Sequence, residues 1–331
     1  MLNPGRISMK RLAGLALAAL MATTGAAFAD WPEKPIRLIV PFQPGGTSDQ
    51  VGRTLQAGVE ETGALGQPIT IVNVGGHYSI GSRRVMEAEP DGYTFLLIHI
   101  ALMGGEGTGA LDFGWRDYEP VAGMGEFCLA PMVRKDSGID SVDELLAKAK
   151  AEPDTLIFGA NLGAINHMAG IMLQEEEPGA KFRFVQIGGG TANYTALTGG
   201  QTNATVLSGA EVVNFTLLPD GSENPDAQIK PLAYTGAERF EGLPDLPTMK
   251  ELGYDMQFCV KSWVFAPKGT PDEAVEGFAE ALKAATGTDR YKQFIKSKGF
   301  ADIFLSGEAL QQDLEATWEA IEPIAKLAAQ K

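Results

Sequence analysis

Cysteine and histidine are scarce, with two cysteines (Cys128, Cys259) and three histidines (His77, His99, His167) in 331 residues. That stock excludes a cysteine-rich zinc site, an iron–sulfur cluster and a disulfide framework, and no metal or cofactor is expected. Positive charge is also short. There are 27 Lys and Arg against 42 Asp and Glu, a formal net charge of −15, so the chain repels phosphate backbones and no nucleic-acid partner is expected. No apolar run reaches the roughly 20 residues of a membrane span. The nearest, Leu12 to Gly25, follows Arg6, Lys10 and Arg11 and precedes Ala27-Phe28-Ala29. Basic, apolar and small-x-small segments in that order predict a secretory signal over residues 1–29, cleaved after Ala29. Its loss takes the net charge from −15 to −18 over the remaining 302 residues. In the oxidising compartment so implied Cys128 and Cys259 are able to pair, yet they lie in unrelated segments and read as two buried small hydrophobes. Catalytic signatures are missing too: no G-x-S-x-G, H-E-x-x-H or G-x-x-x-x-G-K-[ST], and no G-x-G-x-x-G after a strand. A hydrolase assembled from scattered Ser, His and acid is the weakest reading, and no enzyme is expected.

What is present is a regular alternation. Pro35 to Phe42 and Ile69 to Val74 are short, β-branched and nearly continuously apolar, as strands buried on both faces of a parallel sheet are. Between them Val51, Leu55 and Val59 recur every four residues, a helix stripe. Strands are predicted over Thr94 to Ile100, Val121 to Arg134, Leu156 to Gly159, Phe182 to Ile187, Ala204 to Leu207, Ile229 to Tyr234 and Met256 to Ala266. Helices are predicted over Ser141 to Lys150, Ile165 to Glu177, Pro271 to Ser297 and Gly307 to Ala329, the first with Ser141 and Glu144 as a capping box. The class is α/β throughout, and two lobes of interleaved segments fit it better than two domains in a row.

Glycine-rich turns fall where strands hand over to helices. Phe42 ends a strand, Pro44-Gly45-Gly46 turns, Thr47 or Ser48 caps a helix, and Asp49 lies in its first turn. A second turn runs from Phe158 through Asn161, Leu162, Gly163 and Ala164 to Asn166 and His167; a third, Gly188-Gly189-Gly190, leads to Thr191. Free N–H groups at such helix starts favour an anion. Such turns are also generic in α/β folds.

The run from Trp31 to Arg53 (WPEKPIRLIVPFQPGGTSDQVGR) resembles the opening of the solute receptors of tripartite tricarboxylate transporters, the Bug or TctC type. EPDGYTFLL (Glu89 to Leu97), ALTGGQTN (Ala196 to Asn203), LPDLPTMKELGY (Leu243 to Tyr254) and WVFAPKGTP (Trp263 to Pro271) resemble its later signatures in the same order. The resemblance implies a bilobal periplasmic binding protein fold, type II-like, a Venus flytrap of two α/β lobes (30–125 with 265–331, and 126–264) joined by a hinge. It implies a small organic anion held in the cleft largely by backbone N–H groups and water. It also implies delivery by a monomeric receptor to membrane permease subunits; a receptor feeding a sensor kinase would share the chemistry. Closure follows from ligand contacts that both lobes make only when closed.

Departures from the family pattern concern specificity. The usual Arg-Pro after Asn73 is absent and His77 and Tyr78 are added ahead of Ser79, itself a candidate ligand contact; hydroxyls are lost around Asn161 to Ala164; a lysine is lost at Gly188-Gly189. A C4-type dicarboxylate leads as ligand, with an aromatic carboxylate second because of His77, Tyr78 and Phe42. Asp49 either accepts a hydrogen bond from ligand or water or only answers the helix dipole. His167 contacts ligand or is satisfied by a loop carbonyl. Trp263 reads as hinge packing. The three turns are expected to supply most polar contacts, with no Arg or Lys forming a bidentate pair with the ligand.

Overall fold

The computed structural model describes residues 31–330. The expected signal segment and its cleavage site lie outside them. In chain order the elements are β1 (Ile36–Val40), α1 (Thr47–Thr62), β2 (Ile69–Asn73), α2 (Tyr78–Met86), β3 (Thr94–Ile98), α3 (Ala101–Thr108), β4 (Tyr118–Arg134), α4 (Val142–Ala151), β5 (Ile157–Ala160), α5 (Ile165–Glu175), β6 (Arg183–Gln186), α6 (Gly190–Thr198), β7 (Ala204–Ser208), α7 (Gly209–Thr216), β8 (Ile229–Pro231), β9 (Cys259–Pro267), α8 (Asp272–Thr286), α9 (Asp289–Lys298), β10 (Phe300–Leu305) and α10 (Gly307–Ala328).

The strands follow the order β2-β1-β3-β9-β4-β7-β5-β6, with β8 and β10 also on β4. β1 runs parallel to β2 and β3, and β5 parallel to β6 and β7, so each end of the sheet is a parallel α/β unit. The antiparallel strands β4 and β9 join them. Over Tyr118 to Cys128 β4 pairs with β9, and over Leu129 to Val133 it pairs with β7. One 17-residue strand thus belongs to both halves. Each half is covered by helices through the apolar stripes that patterning requires: Val51, Leu55 and Val59 of α1 are buried, as is every residue of β3.

Three local expectations differ from what is found. The helix expected over Pro271 to Ser297 is two: α8 ends at Thr286 with Gly287 as its C-cap, and Thr288, whose Oγ1 accepts the Tyr291 N–H at 3.3 Å, caps α9. Apolar periodicity runs through the break because both helices pack on the same core. β10 lies where the sequence pattern predicts no element; it is recruited by pairing with β4 and not by its own pattern. Cys128 and Cys259, expected to be separate small hydrophobes, form a disulfide. They are register partners on β4 and β9, and 131 residues of intervening chain hide that pairing from any local reading.

Candidate functional site

Each half sends glycine-rich strand-to-helix turns towards the other. The N-cap residues Gly46, Ala164 and Gly189 of α1, α5 and α6 adopt extended backbone and make no side-chain cap. Their helices therefore begin with N–H groups that their own N-cap side chains leave unsatisfied, and these open on a common space. That space is a cavity of about 40 Å³ whose walls come from both halves, enough for a few waters or a short ligand. Phe42, Phe127, Leu129, Ile165 and Val206 form its apolar wall, and among the described residues no Lys or Arg lines it.

Of the residues expected in the site, Phe42, Gly46, Thr47, Asn161, Ala164, Gly189, Gly190 and Thr191 line this cavity. The others stand behind it or elsewhere. Gly45, at φ +85, is held by its N–H to Asp49 Oδ2 (2.8 Å), and Pro44 offers its carbonyl to Thr191 Oγ1 (3.5 Å) across the halves. Asp49 also takes the Arg53 guanidinium at 3.0 Å, so its carboxylate braces the turn from behind. Burial pushes its pKa up, but the Arg53, Gly45 and Asn73 hydrogen bonds outweigh burial and hold it below the ordinary value. His77 caps α2: Nδ1 accepts the Ser79 N–H, and Nε2 meets the Leu162 carbonyl at 3.1 Å, a strut between the halves. Tyr78 is fully buried, stacked on His77. Gly163, at φ +82, donates its N–H to His167 Nδ1 at 3.2 Å, and His167 packs edge-on against Phe184. Burial lowers the pKa of His167 to about 4, so it stays neutral. Trp263 is buried in β9 and donates Nε1–H to Asp313 at 3.3 Å, away from the cavity.

Local reading missed several lining residues. His99 follows β3 at its carboxyl end and stacks on Phe42, ring centroids 4.9 Å apart; burial lowers its pKa to about 3, so it brings no positive charge. Asn166 fixes the second turn by accepting the Asn161 N–H at 2.9 Å. The most consequential omission is the Ser208–Glu211 pair on α7. Ser208 Oγ lies 2.5 Å from Thr47 Oγ1, and Glu211 accepts the Thr47 N–H at 3.2 Å and the Ser208 N–H at 3.0 Å. Burial pushes the Glu211 pKa above its ordinary value against those hydrogen bonds. A signal did exist, since S-x-x-E just after a strand is a capping box. The placement of His99 at a strand's carboxyl end obeys the rule that located the three turns.

Two α/β halves sharing a long crossing strand, with helix starts from both facing one small cavity, define a bilobal solute-binding protein. The chain belongs to the tripartite tricarboxylate transporter family receptors, whose pattern it matches over residues 51–326. It is similar to the protein BugT of Bordetella pertussis, 30% identical over 285 residues covering 81% of this chain and 82% of BugT. Among solved structures it resembles the periplasmic binding protein BugD (26% identity, TM-score 0.78, 90% of this chain and 98% of that one). It also resembles R. palustris Rpa4515 with adipate (28% identity, TM-score 0.79, 90% and 98%). As a member of a receptor family whose solved relative BugD is a periplasmic binding protein, the chain is a receptor and not an enzyme.

Proposed function

We propose that the chain is an exported periplasmic receptor that captures a small organic acid between two lobes and delivers it to the membrane permease of a tripartite tricarboxylate transporter. The observation that carries this reading is the cavity between the halves, lined by the starts of α1, α5 and α6, whose N-cap residues supply no side-chain acceptor. Oriented N–H dipoles at contact distance favour an anion where the global net charge of −15 is screened within about 8 Å at physiological salt. The relative solved with adipate supports a carboxylate as ligand, and the disulfide suits an oxidising compartment. The lobes are 30–125 with 265–331, and 126–264, both boundaries falling on the strands β4 and β9 that would act as the hinge.

Mass spectrometry of ligand released from the purified protein, followed by a thermal-shift screen of carboxylates, tests the reading. An acid at about 100 times its Kd adds about 2.7 kcal/mol to stability, an upward shift of several degrees. If acids as a class give no shift while another chemical class does, the carboxylate reading is wrong. N-terminal sequencing of the periplasmic fraction should begin at Asp30.

A further inference from the structure

The Glu211 carboxylate occupies the place that the fold prepares for an anion. Its Oε1 accepts the Thr47 N–H at the start of α1, and its Oε2 accepts the Ser208 N–H at the start of its own helix. A methyl group on Gly190, the first residue of α6, would lie 2.0 Å from Oε1, so the carboxylate also rests against a third helix start. Among the described residues no Lys or Arg lines the cavity to neutralise a second negative charge beside it, and two carboxylates in contact without a cation cannot both ionise.

The same cavity holds a donor in need of an acceptor. Asn161 is fully buried and its Nδ2 has no partner among the described residues. Its orientation is set by a relay. Gln186 Oε1 accepts the Leu162 N–H at 2.8 Å, which turns the Gln186 amide nitrogen onto Asn161 Oδ1 at 3.0 Å and leaves Nδ2 free. One wall therefore offers an unused N–H and another an unneutralised carboxylate.

We propose that Glu211 stands in for one carboxylate of a dicarboxylic acid, so that the site takes a monocarboxylate whose far end donates a hydrogen bond, an ammonium or amide, and rejects the matching diacid. The ligand's carboxylate then meets the Asn161 amide and the free helix N–H groups, and its donor meets Glu211. This rests on the carboxylate-receptor reading and narrows it. The competing role for Glu211 is local: as third residue of the capping box with Ser208 it could serve α7 alone.

Isothermal titration of the ligand-free full-length mature protein at pH 7 separates the two. The probes are near-isosteric pairs, malonate and malonamate through adipate and adipamate, terephthalate and terephthalamate, with 4-aminobutanoate beside succinate. For the chain length that binds, the monoamide or amino acid should bind at least tenfold tighter than the diacid. Glu211→Gln should narrow that ratio to threefold or less, mainly by tightening the diacid. A wild type that binds the diacid equally or better overturns the proposal even if the variant does not fold. So does a variant that weakens both members of a pair by one factor, the result expected of a cap. If neither member of any pair titrates into the wild type, it is the carboxylate reading itself that has failed, and the proposal with it.

Discussion

Two buried acids sit in the first turn of a helix and have opposite settings. At the start of α1, Asp49 braces its own turn and is paired with Arg53 four residues on. At the start of α7, Glu211 reaches across to the other half, accepts N–H groups from neutral partners, and among the described residues no Lys or Arg lines the cavity beside it. Both are almost solvent-free, at 3% and 5% exposure, so burial alone does not separate them. The counter-charge does, holding Asp49 below its ordinary pKa while burial prevails at Glu211. The helix-dipole rule places an acid at both positions; the neighbours decide that one is scaffold and the other faces the ligand. A second carboxylate about 4 Å from an ionised Glu211 would meet roughly 4 kcal/mol of repulsion at an effective dielectric near 20.

The largest effect should come from the bridge between β4 and β9. Cys128→Ser with Cys259→Ser should cost about 2–5 kcal/mol in urea denaturation, because the bond closes a long loop. Leu129, next to Cys128, is the register partner of Ser208. Amide exchange should therefore rise more around Ser208–Glu211 than around Gly45–Asp49; equal protection in both regions would show that the bridge does not hold the Glu211 side in place.

Gly190→Ala should come next. Its Cβ would lie 2.0 Å from Glu211 Oε1 and 2.3 Å from the carboxyl carbon, so the carboxylate must leave Thr47. Overpacking of this kind costs about 1–3 kcal/mol, offset in part by the roughly 1 kcal/mol helix preference of alanine. Titration with the acid identified by mass spectrometry should show at least a tenfold loss of affinity. Gly46→Ala meets Thr191 Oγ1 and Glu211 Oε1 only at 3.3 and 3.4 Å and should lose less; equal losses would remove Glu211 from the explanation.

The smallest effect is the most discriminating. Asp49 has a lowered folded pKa, so it stabilises above its unfolded value of about 3.9, and that stability fades as pH falls through the folded value. Asp49→Asn should therefore melt below wild type at pH 7, by about 1 kcal/mol or roughly 2–4 °C, with the gap closing towards pH 3. Glu211 has a raised folded pKa, so the wild type pays nothing below about pH 4.3 and loses stability as pH rises towards the folded value. Glu211→Gln should match wild type near pH 4 and melt above it at pH 7, by a similar amount. Thermal melts from pH 3 to 8 check both; gaps of the same sign at pH 7 would refute the contrast.

The α/β alternation, the helix stripes of α1 and the three glycine turns were legible because each depends on residues within a turn or a strand of one another, where period and backbone freedom act directly. Tertiary structure decided the rest. His77 and Tyr78 look like ligand groups in the sequence, yet a helix start at Tyr78 turns them into a cap and a core ring, and Asp49 faces Arg53. Glu211 lies 164 residues from Thr47, and Cys128 lies 131 from Cys259. Such meetings are set by the order and register in which β4 joins the two halves of the sheet. No local periodicity encodes that register, because it is the whole buried surface, and not any one segment, that selects it.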